Sequence, residues 1–103
     1  MTNIGDLVKG DYHANADQAW SYGTCIRATT ADHIIIVNRC EYSKTTTHHQ
    51  TMDAAFWRSH RYPVVVLKAC GIKRGAGPSD LFLSAEPELR AIREERQDEM
   101  TGA

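Results

Sequence analysis

HIIIVNRCEYSKTTTHHQ, residues 33–50, changes its period in the middle, and the fold follows from where it does so. The first ten residues carry a β-branched run, Ile34 to Val37, short enough for a strand with both faces covered along part of its length. After Tyr42 and Ser43 the alternation stops. A spacing of about 3.6 residues then gathers His48, Met52, Ala55, Phe56 and Ser59 on one side of a helix. Thr46 or Thr47 is the expected N-cap, because a threonine hydroxyl accepts from an otherwise orphaned backbone N–H. Gln50, three residues after Thr47, completes a capping-box pattern.

Working outward, YGTCIRATT (22–30) alternates Tyr22, Thr24, Ile26 and Ala28 against Gly23, Cys25, Arg27 and Thr29. TTAD (29–32) supplies turn chemistry, so this segment and HIIIVNRCEY read as an antiparallel hairpin. Beyond the helix, RYPVVVLKACG reads as a third strand, with Pro63 suited to a first or edge position. GIKRGAGPS (71–79) reads as a loop. From Asp80 onward the chain reads as helix, with Ser84 as a cap and a thin apolar stripe of Leu89, Ile92 and Met100. Residues 1–20 read as a loose lead-in. The expectation is an α+β fold: a small antiparallel sheet of about three strands, one helix packed on it, and a charged C-terminal helix. A single domain over 1–84 carries the core, Ile26, Ile34, Ile36, Met52, Phe56, Val64, Val66 and Leu83, followed by an acidic helix or tail over 85–103.

The 103 residues suffice for one modest core. An apolar content of 42%, a charged content of 24% and a net charge of −1 exclude any global pull toward nucleic acid or acidic membranes. Charge is nevertheless segregated. Residues 54–79 contain no acid and five basic residues, Arg58, Arg61, Lys68, Lys73 and Arg74, whereas Glu86 to Glu99 sets six acids against three arginines. These stretches are either solvated faces of opposite sign or a basic binding surface beside an acidic helix. Cys25, Cys40 and Cys70 are scattered and odd in number, against both a disulfide framework and a structural zinc site. The first residues carry no apolar h-region, and the longest apolar run is far too short to span a bilayer. A cytoplasmic protein without membrane contact is expected.

No catalytic constellation emerges. Cys40 or a threonine with His49 lacks a third orienting group. His48 and His49 diverge by ~100° on a helix, and His49 lies ~16 Å along the axis from His60, so no metal site is expected. No cofactor is implied. Two binding surfaces remain. Lys44, Thr46, Thr47 and His48 at a helix start, with Lys73 and Arg74 in the basic loop, would suit a phosphate or nucleic-acid backbone if the loop lies on the same side. Trp57, Arg58, Arg61 and Tyr62 have the composition of a protein-binding hot spot, although Trp57 would equally serve as a residue half-covered by a neighbouring segment.

SYGTCI (21–26) followed by YSKTTTHHQ (42–50) resembles short proteins common in bacteriophages and prophages, which carry a Tyr-Gly/Ser-Thr-x-Ile/Val strand and a Tyr-Ser-x-Thr-Thr-x-x-His-Gln helix start. Tyr22, Gly23, Thr24, Ile26, Tyr42, Ser43, Thr45, Thr46, His49 and Gln50 are the matching positions. The resemblance implies a phage-type origin and a shared fold more than an activity. The expectation is therefore a small accessory protein that binds rather than catalyses, its partner a host protein or a second copy of itself, with nucleic acid as the alternative.

Overall fold

A computed structural model describes residues 12–68 and 71–101. The expected lead-in over 1–11 and Cys70 lie outside them. The strands are β1 (Tyr12–Ala14), β2 (Gln18–Ser21), β3 (Thr24–Thr29), β4 (Ile35–Asn38) and β5 (Val64–Leu67). The helices are α1 (Lys44–Trp57), α2 (Pro78–Ser84) and α3 (Glu86–Thr101). The fold is α+β, but the sheet has five strands rather than three, in the order β1-β2-β3-β4-β5. It is mixed rather than antiparallel. The first four strands form a meander, and β5 returns through α1 to lie parallel to β4, as a parallel neighbour requires.

The two extra strands come from the polar stretch 12–21, where a loose lead-in was expected. Asn15 holds the β1–β2 turn: its Oδ1 accepts from the backbone N–H of Asp17 at 2.8 Å and of Gln18 at 3.0 Å, an Asx turn. Between β2 and β3 the loop is two residues long, Tyr22 and Gly23, with φ of +49° and +77°. Positive φ at both positions is the turn whose twist matches a hairpin.

A bulge then breaks the expected alternation of β3. Ala19 pairs with Arg27 and Trp20 with Cys25, leaving Ile26 as the extra residue. Ile26 and Arg27 consequently share one face, Ile26 packing with Tyr12 and Ala19 and Arg27 reaching α1, while Cys25 and Ala28 join the core on the other face.

That larger core lies under α2 and α3. Ile34, Ile36 and Val65 meet Leu81, Ala85 and Leu89, with Ile72 and Ala76 from the preceding loop. The single C-terminal helix expected from Asp80 is two, broken at Ala85. Its cap is not Ser84. The backbone N–H of Gly77 donates to Asp80 Oδ2 at 2.8 Å, and Pro78 opens the first turn. Asp32 anchors α3 by accepting from Arg93 Nε at 2.8 Å and Arg93 Nη2 at 3.0 Å, while its carbonyl accepts from Arg96 at 2.7 Å.

Five of the eight expected core residues lie nearer the surface, Phe56 and Val64 among them as half-buried side chains. Leu83 is 69% exposed because Leu81 and Ala85 occupy the inward side of that helix. Val66, on the outermost strand, is 44% exposed. Met52 is only half-buried, for a reason set by the buried face of α1.

Candidate functional site

α1 starts one turn earlier than expected. Ser43 is its N-cap, its hydroxyl accepting from the backbone N–H of Thr46 at 3.1 Å. The face that α1 lays on the sheet is polar: Thr46, His49, Gln50 and Asp53 are buried together with Ala54. The apolar stripe through Met52, Ala55 and Phe56 is not the inward one, and Ala55 is exposed. Burying polar groups requires partners, and the sheet provides them.

Asp53 accepts from Tyr12 Oη at 2.6 Å, from Arg27 Nε at 2.8 Å and from Arg27 Nη2 at 3.3 Å. The rest of the guanidinium donates to the carbonyls of Ala16 at 3.2 Å, Asn15 at 2.8 Å and Gln18 at 3.3 Å, all in or beside the β1–β2 turn. Phe56 covers it, with Arg27 Cζ 4.6 Å from the ring centroid. Burial, then the bond to Asp53, pushes the Tyr12 phenol well above its usual range. Gln50 donates to the carbonyls of Asn38 at 2.7 Å and Cys40 at 3.1 Å, and closes the end of β4.

Ser21 Oγ lies 2.7 Å from His49 Nδ1, a distance at which a histidine can activate a hydroxyl. Ser21 Oγ also lies 3.1 Å from Thr46 Oγ1, so the three side chains form one buried polar cluster. His49 is itself buried, between the rings of Tyr12 at 5.4 Å and Tyr22 at 5.7 Å. The pair fastens the β2–β3 turn to the helix. Among the described residues no group of three histidine, cysteine or acidic side chains converges as metal ligands.

The residues expected at a phosphate site part company. Arg74 reaches the helix start, donating to the carbonyl of Tyr42 at 3.1 Å. With Ser21, Tyr22, Thr24, Ser43 and Thr45 it lines a hollow of about 360 Å³. Lys44 and Thr47 line a separate hollow with Glu41, and Lys73 lines a third together with Arg74, beside Asp80 and Ser84. Thr46 is spent inside the helix–sheet joint, Thr47 Oγ1 donates back to the Ser43 carbonyl at 3.0 Å, and His48 is exposed.

The expected protein-binding residues, by contrast, come together where α1 ends and β5 begins. Arg58 lies over the half-buried Trp57, 5.4 Å from its ring. Tyr62 stacks on His33 at 4.8 Å and meets His60 at 5.5 Å, and His60 meets Phe56 at 5.4 Å. Arg61 is exposed beside them. Sequence reasoning missed His33, which arrives from the β3–β4 turn in a left-handed conformation, φ +65°. Only the turn chemistry of TTAD pointed to that position. Indole Nε1 of Trp57 is the one buried side-chain nitrogen or oxygen among the described residues that has no hydrogen-bond partner.

A larger hollow among the described residues, about 910 Å³, is elsewhere, between the ends of β2 and β3, the β3–β4 turn and α2–α3, with Phe82, Leu83 and Leu89 in its wall. It is an open groove whose wall also carries polar and charged side chains, Asp17, Gln18, Thr29, Glu86 and Arg93 among them. No helix among the described residues is long and apolar enough to cross a membrane. Comparison with protein-family models, with characterised proteins and with solved structures finds no significant match to this chain.

Proposed function

We propose that the chain is a small phage-type accessory protein of the host-cell cytoplasm that works as a binding module. It meets a protein partner through the corner built by Trp57, Arg58, Arg61 and Tyr62. One observation carries this reading: an arginine over an indole and a tyrosine stacked on a histidine stand side by side at the surface, 38% of Tyr62 remaining exposed. Tryptophan, tyrosine and arginine supply most of the binding energy at protein interfaces. His33 adds support, since a non-glycine residue held at positive φ costs ~1–2 kcal/mol and is kept where the surroundings use it. The partner is a host protein whose activity is modulated, or a second copy of the chain.

The test is recovery of partners by the tagged full chain from bacterial lysate, with and without nuclease, beside Arg58→Glu and Tyr62→Ala. Both substitutions alter exposed side chains and leave the buried joint of α1 untouched. A discrete protein retained after nuclease and lost with either variant is the expected result. Recovery unaffected by both variants argues against the corner.

A second reading has its own support in Arg74, whose guanidinium lies against Tyr42 at the positive end of α1. A nucleic-acid phosphate bound there, with Lys44 nearby, would dissociate steeply with added salt. Binding of nucleic acid that survives Arg74→Glu would remove this alternative.

A further inference from the structure

The outer edge of β5 adjoins that corner, and its backbone is arranged to take another strand. Ile35 N–H donates to the Pro63 carbonyl at 2.9 Å, and Arg39 N–H to the Leu67 carbonyl at 2.8 Å. Residues 63, 65 and 67 therefore turn their peptide groups toward β4. By the two-residue period, Val64 and Val66 turn their N–H and C=O groups the other way. Among the described residues no strand lies on that side. An open edge with two outward donors and two outward acceptors, on a run of three valines, is a template for strand addition.

Charge selects the occupant. Residues 54–79 contain no acid, Arg58 and Arg61 precede the strand, and Arg39 stands beside its far end. A second copy paired antiparallel would bring the Arg61 end of one edge against the Arg39 end of the other, which repels. An acidic strand meets attraction at both ends. We propose that β5 binds an extended segment of its protein partner, alternating apolar and acidic residues, as a sixth strand. Val66 offers the apolar contact and Tyr62 borders the entry. This deepens the corner-binding reading and rests on it.

The experiment uses the full-length chain and a labelled nonapeptide alternating valine and glutamate. A valine–lysine peptide and a valine–glutamate peptide N-methylated at alternate residues serve as controls, and binding is read by fluorescence anisotropy and backbone-amide exchange. Val66→Pro is the diagnostic variant. It removes an outward N–H and none of the donors facing β4, so the fold survives, which circular dichroism verifies. Binding of the acidic peptide, slowed exchange at Val64 and Val66, and at least a tenfold loss in Val66→Pro are expected, with neither control peptide binding. Three results overturn the proposal: no binding at millimolar peptide, binding that Val66→Pro leaves intact, or a dimer in analytical ultracentrifugation that Val66→Pro dissolves. Should a protein recovered from lysate depend on Tyr62 and Arg58 while Val66→Pro retains it, strand addition fails and the corner reading stands.

Discussion

Replacing Asp53 by alanine tests whether a polar joint holds α1 on the sheet. Arg27 is 1% exposed, and its guanidinium would lose two of its five hydrogen bonds while remaining buried. Stranding one partner of a buried ion pair costs about 3–5 kcal/mol. Leaving the Tyr12 hydroxyl without its acceptor adds about 1–3 kcal/mol. The two losses overlap, because any water admitted to the gap serves both groups, so a total near 4–6 kcal/mol is expected. A domain of this size has about 5–15 kcal/mol in all, so Asp53→Ala should stand close to unfolding at room temperature. The assay is urea denaturation of the wild type, Asp53→Ala, Arg27→Met and the double variant, followed by far-ultraviolet circular dichroism. In the double variant the unpaired charge is gone, so a coupling of at least about 2 kcal/mol between the two sites is expected. A cost under about 1.5 kcal/mol for Asp53→Ala, or strictly additive losses, would refute the reasoning.

Tyr22→Asn relieves the left-handed strain at the first position of the β2–β3 turn while giving up contact with the His49 ring. A net gain of up to about 1 kcal/mol is expected, whereas Gly23→Ala, open to a methyl group but held at φ +77°, should lose about 1 kcal/mol by thermal denaturation. Cys25 and Cys40 are buried, and burial pushes the Cys25 thiol up to about 11, so iodoacetamide at pH 8 should leave both unmodified until urea unfolds the chain. Stability should fall in alkali. The folded state keeps the Tyr12 proton that the unfolded chain releases near pH 10, so the contribution is whole below that pH and declines above it. Cys25 acts in the same direction, and Tyr12→Phe should flatten the decline in urea midpoint between pH 9.5 and 11 without abolishing it.

The β3–β4 hairpin, α1 and β5 were legible because each carries a clean local signal: a β-branched run, a change of period, or a proline at a strand start. What escaped did so for nameable reasons. β1 has three residues and β2 four, both polar in part, and neither has an alternation long enough to count. The bulge at Ile26 sets two neighbours on one face, which no period-2 template anticipates. α1 misled most, because the usual rule assigns the apolar stripe to the core, and here Thr46, His49, Gln50 and Asp53 carry the contact. Of the candidate sites, the corner around Trp57 was half legible. Arg58, Arg61 and Tyr62 are adjacent in sequence, but His33 is brought in by a turn 29 residues from Tyr62. Arg74 and Lys73, neighbours in the chain, share one hollow, but only Arg74 also reaches the one at the start of α1.

The polar joint beneath α1 also bears on temperature. Exposing apolar surface raises the heat capacity of the unfolded chain, whereas exposing polar surface lowers it. Unfolding here releases Ser21, Thr24, Arg27, Asn38, Thr46, His49, Gln50 and Asp53 to water along with the aliphatic core. The heat-capacity increment should therefore fall below the ~12–15 cal/mol/K per residue of ordinary domains. The free energy of folding then varies gently with temperature, and the protein keeps its shape in the cold as well as in the warm.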